Sequence, residues 1–103
     1  DLDNDGKIEL EKVVAFMNEN PSIHIKIRSH TDARGNASDN LELSTKRAKE
    51  AAIYLMSKGV RASRVSSIGV GEKEIINHCR DGIECTEKEH LENERTEYII
   101  TKN

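Results

Sequence analysis

The chain has 103 residues, 34% of them charged and 35% hydrophobic, with no Trp, one Phe and two Tyr. That length fits one domain and excludes a second, and so few aromatics leave only a small aliphatic core. No apolar run approaches the roughly 20 residues that span a bilayer, and no basic-then-apolar leader is present, so the chain reads as a soluble segment already processed or excised from a larger protein.

A net charge of −3 argues against a general nucleic-acid binder, which needs a basic surface to neutralise phosphates. The sum hides blocks. Residues 1–22 carry two Lys against six Asp/Glu, residues 23–64 nine Lys/Arg against four, and residues 65–103 five against nine. The middle block is where an anionic ligand is to be sought, and the plainer reading is a solvated charge mosaic.

In chain order, Ile8, Leu10, Val13, Val14 and Met17 follow helical spacing, and Asn20-Pro21 stops that helix. Ile23, Ile25 and Ile27 alternate with His24, Lys26 and Arg28, the period of a strand with one buried and one wet face. A loop follows from Ser29 to about Ser38. Leu41, Ala48, Ala51, Ala52 and Leu55 then mark a second amphipathic helix, from near Asp39 to Gly59, a residue suited to the left-handed C-terminal position. Val65 to Val70 reads as a strand. A long connection spans Gly71 to Glu94, and Thr86-Glu87-Lys88-Glu89 within it has the capping-box pattern of a short helix. The last strand runs from about Arg95 to Lys102. The order predicts an α+β sandwich with helices on one face of a mixed sheet.

Three local patterns need weighing. Asp1-Leu2-Asp3-Asn4-Asp5-Gly6-Lys7-Ile8 imitates the opening of an EF-hand calcium loop, but position twelve, which must be a bidentate Glu, is Lys12. An acidic turn capping the first helix is the better reading. Cys79 and Cys85 lie near His78 and His90; a zinc site competes with a disulfide, and the C-x5-C-x4-H spacing is wider than that of the usual zinc pairs. The disulfide is favoured, as it suits an extracytoplasmic domain with a modest core. Gly69-Val70-Gly71 lacks the third Gly of a dinucleotide fingerprint, and His30, Asp32 and Ser44 make no triad because Ser44 lies within a helix. No catalytic residue, metal or cofactor is expected.

The informative constellation joins the loop after the Ile strand to the helix that follows. Asn40, Leu43, Ser44 and Arg47 share one helix face, beside the core-facing Ala stripe. That places a base, Arg47, toward a loop that carries Thr31 and an acid, Asp32. Such a pair can hold one ammonium and one carboxylate together, or it can be an internal Asp32 to Arg47 salt bridge.

The runs Ser29-His30-Thr31-Asp32-Ala33-Arg34-Gly35, Asn40 through Ala48, Gly69-Val70-Gly71-Glu72 and Asn93-Glu94-Arg95-Thr96-Glu97 resemble the OmpA-like domain of Gram-negative outer-membrane proteins, the family of OmpA, Pal and MotB. The shared pattern TDxxG, NxxLSxxRA, GxGE and NRRxE spans nearly the whole chain. The resemblance implies a βαβαββ two-layer sandwich whose first strand is largely missing here, with only a tail at about Asp1 to Asp5. It implies a non-enzymatic, periplasmic domain that binds peptidoglycan through the diaminopimelate of the stem peptide. An N-terminal region beyond this chain would then tie the outer membrane to the wall. It carries Asp32 onto the ammonium contact and Arg47 onto the carboxylate contact, and Thr31, Asn40, Leu43 and Arg95 onto surrounding pocket positions. The family's NRR reads Asn93-Glu94-Arg95, so an acid replaces an Arg near the carboxylate contacts. A wall-modifying hydrolase, or an interaction domain that has lost wall binding, is the alternative.

Overall fold

The structure, a computed structural model, describes residues 4–80 and 82–103, and at 4 and 5 the backbone alone. Helix α1 (Asn4–Glu19) leads into strand β1 (His24–His30) and helix α2 (Ala37–Ser57). A single 3-10 turn (Ala62–Arg64), strand β2 (Val65–Gly71), the short helix α3 (Glu87–Leu91) and strand β3 (Arg95–Lys102) complete the chain. The strands form one mixed sheet in the order β2-β1-β3, with β1 parallel to β2 and antiparallel to β3.

Both long helices cover the same sheet face. Ile25 and Ile27 of β1 meet Leu10, Val14 and Met17 of α1 and Ala48, Ala51, Ala52 and Leu55 of α2 in one core, with Tyr98 of β3 packed against it. Each fully buried Leu, Ile or Met there contributes about 1.5–3 kcal/mol. The other face carries Lys26 and Arg28 beside the exposed Ile68 and Ile99, as the period-two pattern requires.

The ends of the elements have local causes. Asn36 caps α2, its side chain accepting from the Ser38 and Asp39 N–H groups, so the helix starts ahead of Asp39. At the other end Gly59 adopts φ +96°, and the Val60 N–H returns to the Leu55 carbonyl at 3.1 Å, closing a Schellman turn. The Arg64 guanidinium donates to the carbonyls of Met17, Asn20 and Ile23, filling the acceptors that the end of α1 leaves open.

α1 differs from expectation. It begins by Asn4, ahead of Ile8, so the backbone at 4 and 5 is helical where the family pattern places a strand tail. Acidic residues at a helix start gain from its dipole, whereas a strand gains nothing from them. Asp1 and Asp3 of the calcium mimic lie outside the described residues, but Gly6 to Lys12 of that mimic are helical.

α2 crosses β2 in close contact. A Cβ added at Gly69 would lie 2.1 Å from the Thr45 backbone nitrogen, and the Gly71 N–H donates to Ser44 Oγ at 2.8 Å. Gly69→Ala must therefore lift the helix off the sheet and should cost about 3 kcal/mol, the upper end of overpacking penalties, read as a lower urea midpoint; an unchanged midpoint would contradict the contact. A second expectation concerns alkali. Burial, with Glu9 nearby, pushes the Tyr98 phenol up to about 12. The folded state therefore favours the neutral phenol, and this stabilisation is complete below the ordinary tyrosine value near 10 and is lost as pH rises through about 12. Tyr98→Phe should remove that part of the alkaline loss in thermal melts.

Candidate functional site

The site is assembled where β1 ends. Ser29 pairs with Gly69 and His30 with Gly71, so Val70 is an extra residue on β2, a bulge of the kind that re-aims side chains beside sites. The Thr31 N–H continues the pairing onto the Gly71 carbonyl at 2.9 Å. Asp32 then follows the C-terminal end of this central strand, buried, and its carboxylate is held twice by one residue. The Arg34 N–H donates to Oδ1 at 2.8 Å and the Arg34 guanidinium to Oδ2 at 3.0 Å. Burial alone would raise the Asp32 carboxyl, but these Arg34 bonds outweigh it and hold the group below its ordinary value. Arg34 is itself anchored by Glu87 of α3 at 2.7 Å.

Arg47 does not reach Asp32. Its guanidinium pairs with Glu94, Nη1 to Oε1 at 3.3 Å, so the expected acid and base each have another internal partner. Arg47 and Glu94 line a cavity of about 510 Å³ between α1, α2 and β3, together with Glu9, Ser29, Leu91 and Tyr98. The other anticipated residues divide between scaffold and surface. Thr31 is buried, with its hydroxyl donating to the Asp32 carbonyl. Asn40 donates to the carbonyls of Asp32 and Arg34 and to Glu72, tying the loop to α2. Leu43 is exposed and lines a shallow depression with Asp39, Glu42 and Lys46. Arg95 is committed to Glu97 and to the carbonyls of Asn93 and Glu74.

Several contributors stand in the family pattern without a role read from it. Asn93, fully buried, accepts from the Ile76 N–H and donates to Asn77, whose own amide donates to Glu89 and Glu92. This knot of amides, not apolar packing, pins the long connection. His30 pairs with Glu97 at 2.8 Å and Ser44 with Gly71, which separates the imagined triad members. The His30 contact, with help from Arg95, lowers the Glu97 carboxyl.

Cys79 and Cys85 are joined in a disulfide. Their sulfurs lie with His78 and Glu89 in a cluster whose ligand atoms are all within 4.8 Å of one another, but a disulfide offers no thiolate to a metal. The capping box on α3 forms as read, Thr86 and Glu89 satisfying each other's backbone N–H. Denatured without reductant, the protein should show no free thiol, and reduction should cost about 2 kcal/mol for so short a loop. Two free thiols with stoichiometric zinc would refute the bridge.

Two helices stacked on one face of a β2-β1-β3 mixed sheet, with the chemistry at the β1 end, define the OmpA-like class of α+β domain. The OmpA family profile matches residues 1–87, and the chain belongs to that family. A peptidoglycan-associated lipoprotein of Pasteurella multocida is 35% identical over 71 residues, covering 67% of this chain and 47% of that protein. The chain thus spans about half the length of the curated relatives it matches. Among solved structures, the peptidoglycan-associated lipoprotein from Burkholderia pseudomallei superposes with a TM-score of 0.83 at 22% identity, covering 96% of this chain and 80% of the other. The C-terminal domain of Helicobacter pylori MotB gives 0.82 at 20% identity, covering 98% and 75%. Among the described residues no helix is long and apolar enough to cross a membrane.

Proposed function

We propose that this domain binds peptidoglycan non-covalently, gripping the free end of diaminopimelate in the stem peptide. It would act in the periplasm, within a longer envelope protein that ties the outer membrane to the wall. The observation that carries the reading is the separation of one acid and one base onto two elements fixed to each other, each held by a partly exposed partner: Asp32 by Arg34 and Arg47 by Glu94. Relatives named for their association with peptidoglycan support it.

The chemistry follows from the ligand. Diaminopimelate ends in a carbon bearing an ammonium and a carboxyl group, and a receptor for it needs an anion and a planar guanidinium close together. Arg34 now occupies Asp32 much as a ligand ammonium would, and Glu94 occupies Arg47 much as a ligand carboxyl would. At Asp32 binding is then an exchange of ion pairs, and at Arg47 the ligand either displaces Glu94 or shares Arg47 with it. Lysine-type stems lack the second carboxyl group and leave that subsite unfilled, at a cost of about 1–3 kcal/mol. Binding without bond cleavage agrees with the commitments of the candidate nucleophiles, since Ser44 Oγ is hydrogen bonded to backbone and both sulfurs are bridged.

Asp32→Ala and Arg47→Ala should each lower retention on diaminopimelate-type sacculi by about tenfold or more, the scale of a lost charged hydrogen bond. Arg34→Ala, which removes the internal competitor but keeps the backbone N–H bond to Asp32, should lower retention less. Each variant's melting curve is compared with the parent's first, since Asp32 also organises its loop. Full retention by the Arg47 variant would reject the site, and release of soluble muropeptides by the parent protein would favour a hydrolase.

A further inference from the structure

The Arg47 subsite is not built like a plain carboxylate receptor. A guanidinium offers only donors and a carboxylate only acceptors, so Arg47 alone would match a carboxylate with two parallel bonds. Here Glu94 Oε1 stands 3.3 Å from Arg47 Nη1, and both side chains remain reachable, at 28% and 41% exposure. The subsite therefore presents a donor and an acceptor side by side. A primary carboxamide has the complementary pair, a carbonyl oxygen to accept from Arg47 and an NH2 to donate to Glu94.

The rest of the cavity agrees. Glu9 adds a second acid to the lining, while the Arg95 guanidinium is turned to Glu97 and to backbone carbonyls, so the lining offers no cationic excess to an incoming anion. Ser29, 1% exposed, lines the same cavity with its hydroxyl unpartnered among the described residues. A free carboxylate in this place would face Glu94 at short range and be repelled, or would have to displace it.

We propose that the Arg47–Glu94 subsite recognises a carboxamide, so that the preferred ligand is stem peptide whose diaminopimelate is amidated at its free end. This rests on the peptidoglycan reading for the other half of the ligand. Amidation leaves the ammonium on the same carbon untouched, so the Asp32 contact is unchanged and discrimination falls on Glu94.

Calorimetric titration of the intact chain with the tripeptide L-Ala-γ-D-Glu-diaminopimelate, as the free acid and as the carboxamide at the ammonium-bearing carbon, tests both levels. The carboxamide should bind about tenfold more tightly than the acid. Glu94→Arg, which restores the family residue, should reverse the order, and Glu94→Gln should narrow the gap. These comparisons are made within each protein, so a general loss of stability does not imitate them. If the parent binds the free acid as tightly as the carboxamide or more so, the subsite proposal is overturned while the wall reading stands. If it binds neither, or if Asp32→Ala leaves both affinities unchanged, the wall reading fails and this proposal with it.

Discussion

Any side chain larger than hydrogen at Gly69 would collide with the backbone of α2, and the site is referenced to that one contact. Ser44, on the helix at the crossing, takes the Gly71 N–H, and the carbonyl of the same Gly71 takes the Thr31 N–H. Asp32 follows Thr31 directly, and Arg47 lies three residues beyond Ser44 on the same helix. Acid and base are thus both measured from the point where α2 touches β2. The small residues Ala48, Ala51 and Ala52 let the helix lie that close along its length. A larger residue in that stripe would move Arg47 relative to Asp32 even if the fold survived.

The charge blocks of the sequence find their explanation in the same geometry. The basic middle block points to an anion site, yet three of its arginines are met by acids from the last block. Arg28 pairs with Glu74, Arg34 with Glu87 and Arg47 with Glu94. These pairs are partly exposed, where an ion pair contributes roughly 0–1 kcal/mol. They add little to stability and yield readily to a competing charge.

Much of the fold was legible because it is local. The alternation at Ile25 and Ile27 gave β1, the Ala stripe and Gly59 gave α2 and its end, and Thr86 with Glu89 gave the cap of α3. The last strand fell where it was read. α2 starts two residues ahead of Asp39 because Asn36 caps it, a role to which the apolar stripe beginning at Leu41 is blind. The site was legible only as far as the family pattern carried it, since Asp32 and Arg47 were named but their partners were not. Arg34 reaches Glu87 across 53 positions and Arg47 reaches Glu94 across 47, separations to which periodicity is blind. The Asn77–Asn93 knot escaped for a related reason. Amides that satisfy backbone groups leave no apolar rhythm, although a fully buried Asn must be satisfied somewhere.

The internal partners also bear on how such a receptor can exist without ligand. A buried carboxylate left uncompensated is costly, and Asp32 is only 9% exposed at its side chain. Arg34 supplies that compensation locally, two residues away, and Glu87 keeps it in place. On the proposed reading the same compensation is given up when a ligand ammonium arrives, so affinity at one site is reduced by whatever stability Arg34 provides. On the proposed reading this is tolerable because the ligand is a polymer. Copies of the domain held at one surface meet many stem peptides at once, and their combined residence rises far above that of a single weak contact. A site with self-supplied counter-ions, stable when empty and modest when filled, is matched to a repeating ligand and would serve poorly for a scarce soluble one.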